Sequence, residues 1–205
     1  MVEFLLIRHG MTDALGKILA GRAPGFPLNE AGQGQAASLA ACFSPSDLDM
    51  ISTSPLERTQ QTAAYLASRC KIAFTLSSQL TEVDCGEWTG LTFGELEHDP
   101  RWVAFNRIRS VTRIPGGEMM LEVQERIVRE MEMLRRASHN TIALVTHGDV
   151  IRAAVAYYAG ISIDNALRIT IDPASVTSIA FEPDLPRILA VNWTPSLPPF
   201  GTNPK

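Results

Sequence analysis

Apolar and polar positions along this chain fall into blocks that predict strands and helices in alternation. Val2 to Ile7 is a short apolar run broken only by Glu3, and its unbroken part Phe4-Leu5-Leu6-Ile7 reads as a strand buried on both faces. Thr141-Ile142-Ala143-Leu144-Val145-Thr146 is a second run of the same kind. Each is followed at once by residues that would be costly to bury without a site to face: Arg8-His9-Gly10 after the first and His147-Gly148 after the second. Open α/β sheets place their ligand crevice at the carboxyl ends of the strands. Two of the four histidines therefore occupy equivalent strand ends.

The remaining pattern fills in around this pair. Asn29 can cap a helix over residues 30–43, weakened by Gly32 and Gly34, and Met50-Ile51-Ser52-Thr53 is a short strand. Ser54-Pro55 then predicts a helix through about Ser68, with Pro55 in its first turn. Residues 72–75 make a strand, and 118–137 a long amphipathic helix with Leu121, Ile127, Val128, Met131 and Leu134 on its apolar face. A helix from Gly148 to Tyr158 stops at Gly160. Residues 176–181 and 188–191 read as a hairpin at the sheet edge, so the sheet is mixed. The expected fold is α/β: one domain over residues 1–193, a three-layer α/β/α sandwich around a mostly parallel sheet. The tail from Thr194 to Lys205, with four prolines, is expected to be extended or disordered.

Composition narrows the class. At 205 residues and 45% hydrophobic content the chain can build its own core, so no cofactor is expected. No apolar stretch approaches membrane-spanning length and Met1-Val2-Glu3 lacks a signal peptide's basic region, so the default expectation is a cytoplasmic protein without membrane contact. A net charge of −4 with interspersed signs offers no basic field for nucleic acid. A homodimer stays open. Cys42, Cys70 and Cys85 are odd in number and widely spaced, as buried reduced thiols would be.

Arg8 beside His9 argues against a metal centre, because a fixed cation opposes a second one, and suits a planar oxyanion such as a phosphoryl group. Neutral imidazole can attack phosphorus without a base, which makes His9 the candidate nucleophile. Arg58, in the first turn of its helix, can reach the same anion as Arg8, although without the motif around it a solvated surface arginine is the preferred reading. His147, if protonated, adds a further donor, and a nearby dianion would keep it charged. Glu82, Asp84 and Glu87 compete for the role of proton donor.

These residues carry a family resemblance. Leu6-Ile7-Arg8-His9-Gly10-Met11-Thr12 resembles the N-terminal signature of the histidine phosphatase superfamily, also called the phosphoglycerate mutase-like family, whose histidine is transiently phosphorylated. Gly21-Arg22 with Pro27-Leu28-Asn29-Glu30-Ala31-Gly32, then Ser52 to Ala63 around Arg58, follow the family order. So do Leu80-Thr81-Glu82 with Gly86, Trp88 and Gly90, Pro115-Gly116-Gly117-Glu118, and Thr146-His147-Gly148-Asp149-Val150-Ile151-Arg152. The resemblance implies His9, Glu82 and His147 as catalytic residues, with Glu82 chosen over Asp84 and Glu87 by its spacing to Gly86 and Gly90. It implies Arg8, Thr12, Arg22, Arg58 and Gly148 as phosphate-binding, a small phosphorylated substrate, and no metal. Asp149 is read as a helix N-terminal residue rather than a catalyst, and His98 and His139 receive no role.

Three positions depart from the pattern: Met11 for the usual Glu, Leu15 for a phosphate-facing Asn, and Met119 for a small hydroxyl residue. If all three lined the pocket they would make its wall apolar and favour aromatic or otherwise apolar leaving groups over 3-phosphoglycerate and hexose phosphates; the alternative is neutral drift in loops that fold away from the site. Arg101, Arg107, Arg109 and Arg113 read as the solvated face of a helix, with recognition of a second anionic group as the alternative. The function expected is a metal-independent phosphomonoesterase. Phosphoglycerate mutase activity, a phospho-ligand binder of weak or no activity, and a metal hydrolase are its rivals.

Overall fold

The computed structural model describes residues 1–137, 139–182 and 185–195. The strands are β1 (Val2–Arg8), β2 (Met50–Thr53), β3 (Phe74–Leu76), β4 (Thr141–Thr146), β5 (Val176–Glu182) and β6 (Leu185–Trp193). The helices are α1 (Glu30–Ala41), α2 (Glu57–Cys70), α3 (Phe93–Leu96), α4 (Pro100–Arg107), α5 (Met120–Leu134) and α6 (Gly148–Tyr158). Among the described residues the strands form one sheet ordered β3-β2-β4-β1-β5-β6. Its β3, β2, β4 and β1 members are parallel, while β5 and β6 are antiparallel to their neighbours. The expected α/β mixed sheet is the fold observed.

Alternation along the two central strands builds two cores, because successive side chains point to opposite faces. Phe4 and Leu6 of β1 and Ile142 and Leu144 of β4 pack with Val123, Ile127 and Met131 of α5 and Val150, Ile151 and Ala154 of α6. Leu5, Ile7, Ala143 and Val145 face the other way, onto Leu39 and Ala40 of α1 and Ala63 and Leu66 of α2. Helices thus cover both faces of the parallel region, as such sheets require.

Several boundaries differ from the sequence expectation. Helix α2 begins at Glu57, leaving Pro55 before the first turn, because Leu56 is the extended N-cap residue and the Ser54 hydroxyl accepts from the Leu56 N–H at 3.3 Å. Helix α5 is shorter than residues 118–137 and buries Met120, Val123, Ile127 and Met131, a stripe one position away from Leu121 and Val128, so Leu121 is exposed. Strand β3 starts two residues late, after Lys71 caps α2 in the left-handed region. Strand β5 lies inside the sheet, with β6 alone at that edge. Helices α3 and α4 carry no period long enough to have been read. Cys42 is exposed, whereas Cys70 and Cys85 are buried. Of the proline-rich tail, residues 196–205 lie outside the described residues.

The segment after β1 is seated by a close backbone approach onto α1. A Cβ on Gly10 would stand 2.5 Å from the Gly32 carbonyl oxygen, and one on Gly32 would stand 2.1 Å from that of Met11. Gly34, two residues further along the same helix, meets nothing within 4 Å. The two glycines should therefore respond oppositely to alanine. Gly34→Ala is expected to stabilise by about 0.5–1 kcal/mol through helix propensity, and Gly32→Ala to destabilise by about 1–3 kcal/mol as the backbones are forced apart. Urea unfolding of both variants checks this, and a gain in stability for Gly32→Ala would show that the approach is not tight.

Candidate active site

Strands β1, β4 and β2 deliver the chemistry side by side. Arg8 pairs in register with Thr146, so His9 and His147 follow from adjacent parallel strands, and the His9 N–H donates to the Thr146 carbonyl at 3.0 Å. The two imidazoles stand edge to face with centroids 5.2 Å apart. Ser54, one residue beyond β2, lies 2.9 Å from His147 Nε2 through its hydroxyl.

Hydrogen bonding sets the orientation of each ring. His9 Nδ1 lies 2.7 Å from the Gly10 carbonyl, which can only accept, so Nδ1 carries the proton. Nε2 then holds the lone pair, and Arg58 Nε donates to it at 3.3 Å. Burial, followed by the nearby charges of Arg58 and Arg8, holds His9 well below the usual imidazole range. His147 is also held well below it, by burial and then by His9, Arg58, Arg126 and Arg8. In the free protein both rings are neutral, so the protonated His147 expected from sequence requires an anion to be present. Its Nδ1 is buried with no hydrogen-bond partner, 3.7 Å from Glu82 Oε2.

A cavity of about 170 Å³ opens on this cluster. Arg8, His9, Thr12, Arg58, Glu82 and Gly148 all border it, whereas His147 is fully buried next to Glu82 and does not line it. Arg58 is anchored by Nη2 on the Gly21 carbonyl at 2.8 Å, and Arg8 by Nη1 on the Ile171 carbonyl at 2.5 Å. The Nε of Arg8 is buried without a partner. Gly148 opens α6, whose N-terminus turns unpaired N–H groups and its positive pole toward the cavity. A Cβ there would come within 3.3 Å of Arg152 Nη1 and 3.4 Å of Arg8 Nε.

The structure does not bring Arg22 to the cavity. Its Nε donates to the Glu82 carbonyl at 2.8 Å and its Nη2 pairs with Glu118 at 2.9 Å. Arg126 joins the same group, with Nη2 on the Glu82 carbonyl at 3.3 Å and Nε on Glu118 at 3.2 Å. Glu118 also accepts the Asp84 N–H at 2.9 Å. The backbone of Glu82 is thereby clamped from behind while its side chain enters the cavity. Burial and then the charge of Asp149 raise its carboxyl, against the pull of Arg58. Asp84 accepts locally from the Gly86 N–H and Glu87 pairs with Arg101, and neither borders the cavity.

Of the three departures, Leu15 lines the cavity, while Met11 and Met119 do not. The apolar wall comes instead from Ile18, Leu19, Val83 and Phe93, which sequence reasoning missed because they belong to loops and to the short α3. Cys85 also borders it, and burial beside Glu82 pushes its thiol up. Arg101 and Arg113 are exposed and pair with Asp99 and Glu122, but Arg109 is buried and reaches Asp149 at 3.4 Å. Asp149, second in α6, pairs with Arg152 at 3.0 Å and borders the cavity with it. Their i,i+3 spacing inside the Thr146–Arg152 segment was the available signal for that pair. Ser54 had only its strand-end position to mark it. Among the described residues no group of three or more His, Cys, Asp or Glu side chains is arranged to hold a metal ion, and no helix is long and apolar enough to cross a membrane.

Two buried neutral histidines link stability to pH. Below about 6.5 the unfolded chain takes up protons on both rings and the folded one does not, so stability falls as pH falls, by up to about 1.4 kcal/mol per pH unit for each ring. Glu82, with its affinity raised on folding, acts in the opposite sense, one group against two. Urea unfolding at pH 7.5 and 5.5 should show the lower stability at 5.5, with a smaller difference in His9→Gln. Equal stability at both values would mean that the rings carry ordinary proton affinities.

Comparison with known proteins places this geometry. A family profile described as histidine phosphatase superfamily (branch 1) matches residues 4–194. Phosphoserine phosphatase 1 of Hydrogenobacter thermophilus is 29% identical over 208 aligned positions, covering 98% of this chain and 96% of that protein. The crystal structure of a phosphoserine phosphatase from Entamoeba histolytica, in complex with 3-phosphoglyceric acid, superposes with a TM-score of 0.84 at 24% identity, covering 95% of this chain and 98% of that one. A mycobacterial glucosyl-3-phosphoglycerate phosphatase does so with a TM-score of 0.82 at 24% identity, covering 93% and 98%. The chain is a member of the histidine phosphatase superfamily.

Proposed function

We propose that the protein hydrolyses small phosphomonoesters through a phosphohistidine formed on His9 Nε2. The observation that carries this reading is the fixed tautomer. The Nδ1 proton is bound to the Gly10 carbonyl at 2.7 Å, so the Nε2 lone pair is presented among arginines on a cavity that also holds the Glu82 carboxyl, whose proton affinity burial raises. The names of the relatives, phosphoserine phosphatase and glucosyl-3-phosphoglycerate phosphatase, support the reaction class.

In the first step His9 Nε2 attacks phosphorus, the bond from phosphorus to the ester oxygen breaks, and Glu82 gives its proton to the departing oxygen. The ring becomes cationic as the P–N bond forms, and the Gly10 carbonyl stabilises that charge through Nδ1–H. Arg8, Arg58 and the first N–H groups of α6 neutralise the phosphoryl oxygens in the role a metal ion plays elsewhere. Bound phosphoryl oxygens raise the proton affinity of His147, whose free Nδ1 then joins the donors. In the second step water attacks phosphorus, Glu82 takes its proton, the P–N bond breaks, and phosphate leaves. Thr12 completes the rim. Arg22 acts here through Glu82 rather than on phosphate.

An aryl phosphate should be hydrolysed in the presence of chelator and the reaction inhibited by vanadate. Acid-labile, alkali-stable label should be trapped on the wild type during turnover, and His9→Ala should lose on the order of 10³-fold or more in kcat. Retention of activity in His9→Ala would overturn the assignment. Glu82→Gln should slow alkyl phosphates far more than activated aryl phosphates, since a proton donor matters most when the leaving oxygen is basic. An equal loss across a series of leaving groups would remove Glu82 from the acid role.

A further inference from the structure

Given the phosphomonoesterase reading, on which this rests, we infer that Ser54 is a positioning residue for phosphoryl transfer. Its hydroxyl fixes the proton of His147 on Nδ1, so that His147 offers an N–H to the phosphoryl group where His9 offers a lone pair.

Ser54 follows β2, which pairs in parallel with β4, the strand that delivers His147. The Ser54 N–H donates to the Val145 carbonyl at 3.0 Å, which seats the serine beside the end of β4. Its hydroxyl lies 2.9 Å from His147 Nε2. Ser54 and His147 are both fully buried, so solvent partners neither side chain and each donor and acceptor has to be matched within the protein.

A hydroxyl has one proton to give and two lone pairs to offer. The Leu56 N–H already donates to the Ser54 hydroxyl at 3.3 Å. If Nε2 carried the ring proton and gave it to the same oxygen, the hydroxyl proton would have no acceptor among the described residues, and the Nδ1 lone pair would have no donor. With the hydroxyl donating to Nε2 instead, the ring proton sits on Nδ1. Only that N–H then lacks a partner, and it stands 3.7 Å from Glu82 Oε2. Unmade buried hydrogen bonds are what cost stability, so the second arrangement is the one the packing favours.

The free N–H thus lies on the side of the ring next to Glu82, which borders the cavity together with His9. Both imidazoles hold the same tautomer to opposite ends. In His9 the backbone of Gly10 takes up the Nδ1 proton and a lone pair is left to react. In His147 the serine takes up the Nε2 lone pair and a proton is left to donate. His147 can therefore bind a phosphoryl oxygen as a neutral ring, before any second proton arrives.

Proton–nitrogen correlation spectra of the imidazole rings separate a protonated nitrogen from a bare one and Nδ1 from Nε2, and His147→Gln identifies the signals of His147. At about pH 8, where an ordinary imidazole is neutral, wild-type His147 should show a protonated Nδ1 and a bare Nε2. Ser54→Ala should show the two tautomers mixed at His147, with His9 unchanged. A wild-type ring protonated on Nε2, or a Ser54→Ala ring identical to the wild type, would overturn the assignment. These spectra need no turnover, so they stand apart from a failure of the phosphomonoesterase reading, which the absence of any aryl phosphate hydrolysis would signal. In the hydrolysis assay Ser54→Ala should lower kcat/KM by on the order of tenfold, the scale of one hydrogen bond, and weaken inhibition by vanadate to a similar degree. Loss of the contact with the Leu56 N–H is the competing cause, because α2 carries Arg58. A double-mutant cycle divides the two: in a His147→Gln background Ser54→Ala should cost less than about twofold. The same loss in both backgrounds would assign the serine to the start of α2 and remove the positioning role.

Discussion

The hydrogen bond between His9 Nδ1 and the Gly10 carbonyl organises the chemistry of this protein, because it decides which nitrogen faces the cavity. A buried imidazole surrounded by arginines cannot readily carry a proton, and a neutral imidazole must place its one proton on one side or the other. Donating it to the backbone leaves Nε2 as a permanent lone pair beside Arg58. The close packing of Gly10 and Gly32 serves the same end, since a bulkier residue at either position would displace the backbone that carries this bond.

The same burial that keeps the histidines neutral works in the opposite direction on Glu82. Desolvation disfavours the charged form of any group, so it removes protons from imidazoles and retains them on carboxyls. One physical effect therefore lowers the proton affinity of the imidazoles and raises that of the carboxyl within a single site. Asp149 reinforces the second outcome. Burial alone would push its own carboxyl up, but Arg109 and Arg152 outweigh burial and hold it ionised, and its negative charge raises Glu82. The Arg22, Arg126 and Glu118 cluster then fixes the backbone from which Glu82 projects.

Arginines here fall into two groups that look alike in sequence. Arg8, Arg58 and Arg152 present guanidinium edges to the cavity. Arg22, Arg126 and Arg109 are engaged with carboxylates or carbonyls that hold the cavity's frame. Only the direction in which each side chain is drawn by its partners separates the groups. Arg22 illustrates this: the motif around Gly21 places it near the cavity along the chain, yet Glu118 and the Glu82 carbonyl hold it off the cavity lining.

The sequence by itself determined the elements with a strong period and the chemistry attached to their ends. The apolar runs before Arg8-His9 and His147-Gly148 specify buried parallel strands, because only such strands bury every side chain on both faces, and a histidine directly after one must lie at the sheet's carboxyl edge. That much fixed the fold class and the central pair of imidazoles. Tertiary structure decided what depends on distant partners. The tautomer of His9, the contact of Ser54 with His147, the burial of Arg109 on Asp149 and the outward turn of Arg22 all join segments far apart in the chain. So does the apolar wall, which loops and short helices too brief to show a period bring together. Local pattern reports which face an element buries. Which charge meets which is set by how the elements pack, because electrostatic interactions act through space and carry no mark in the spacing of residues.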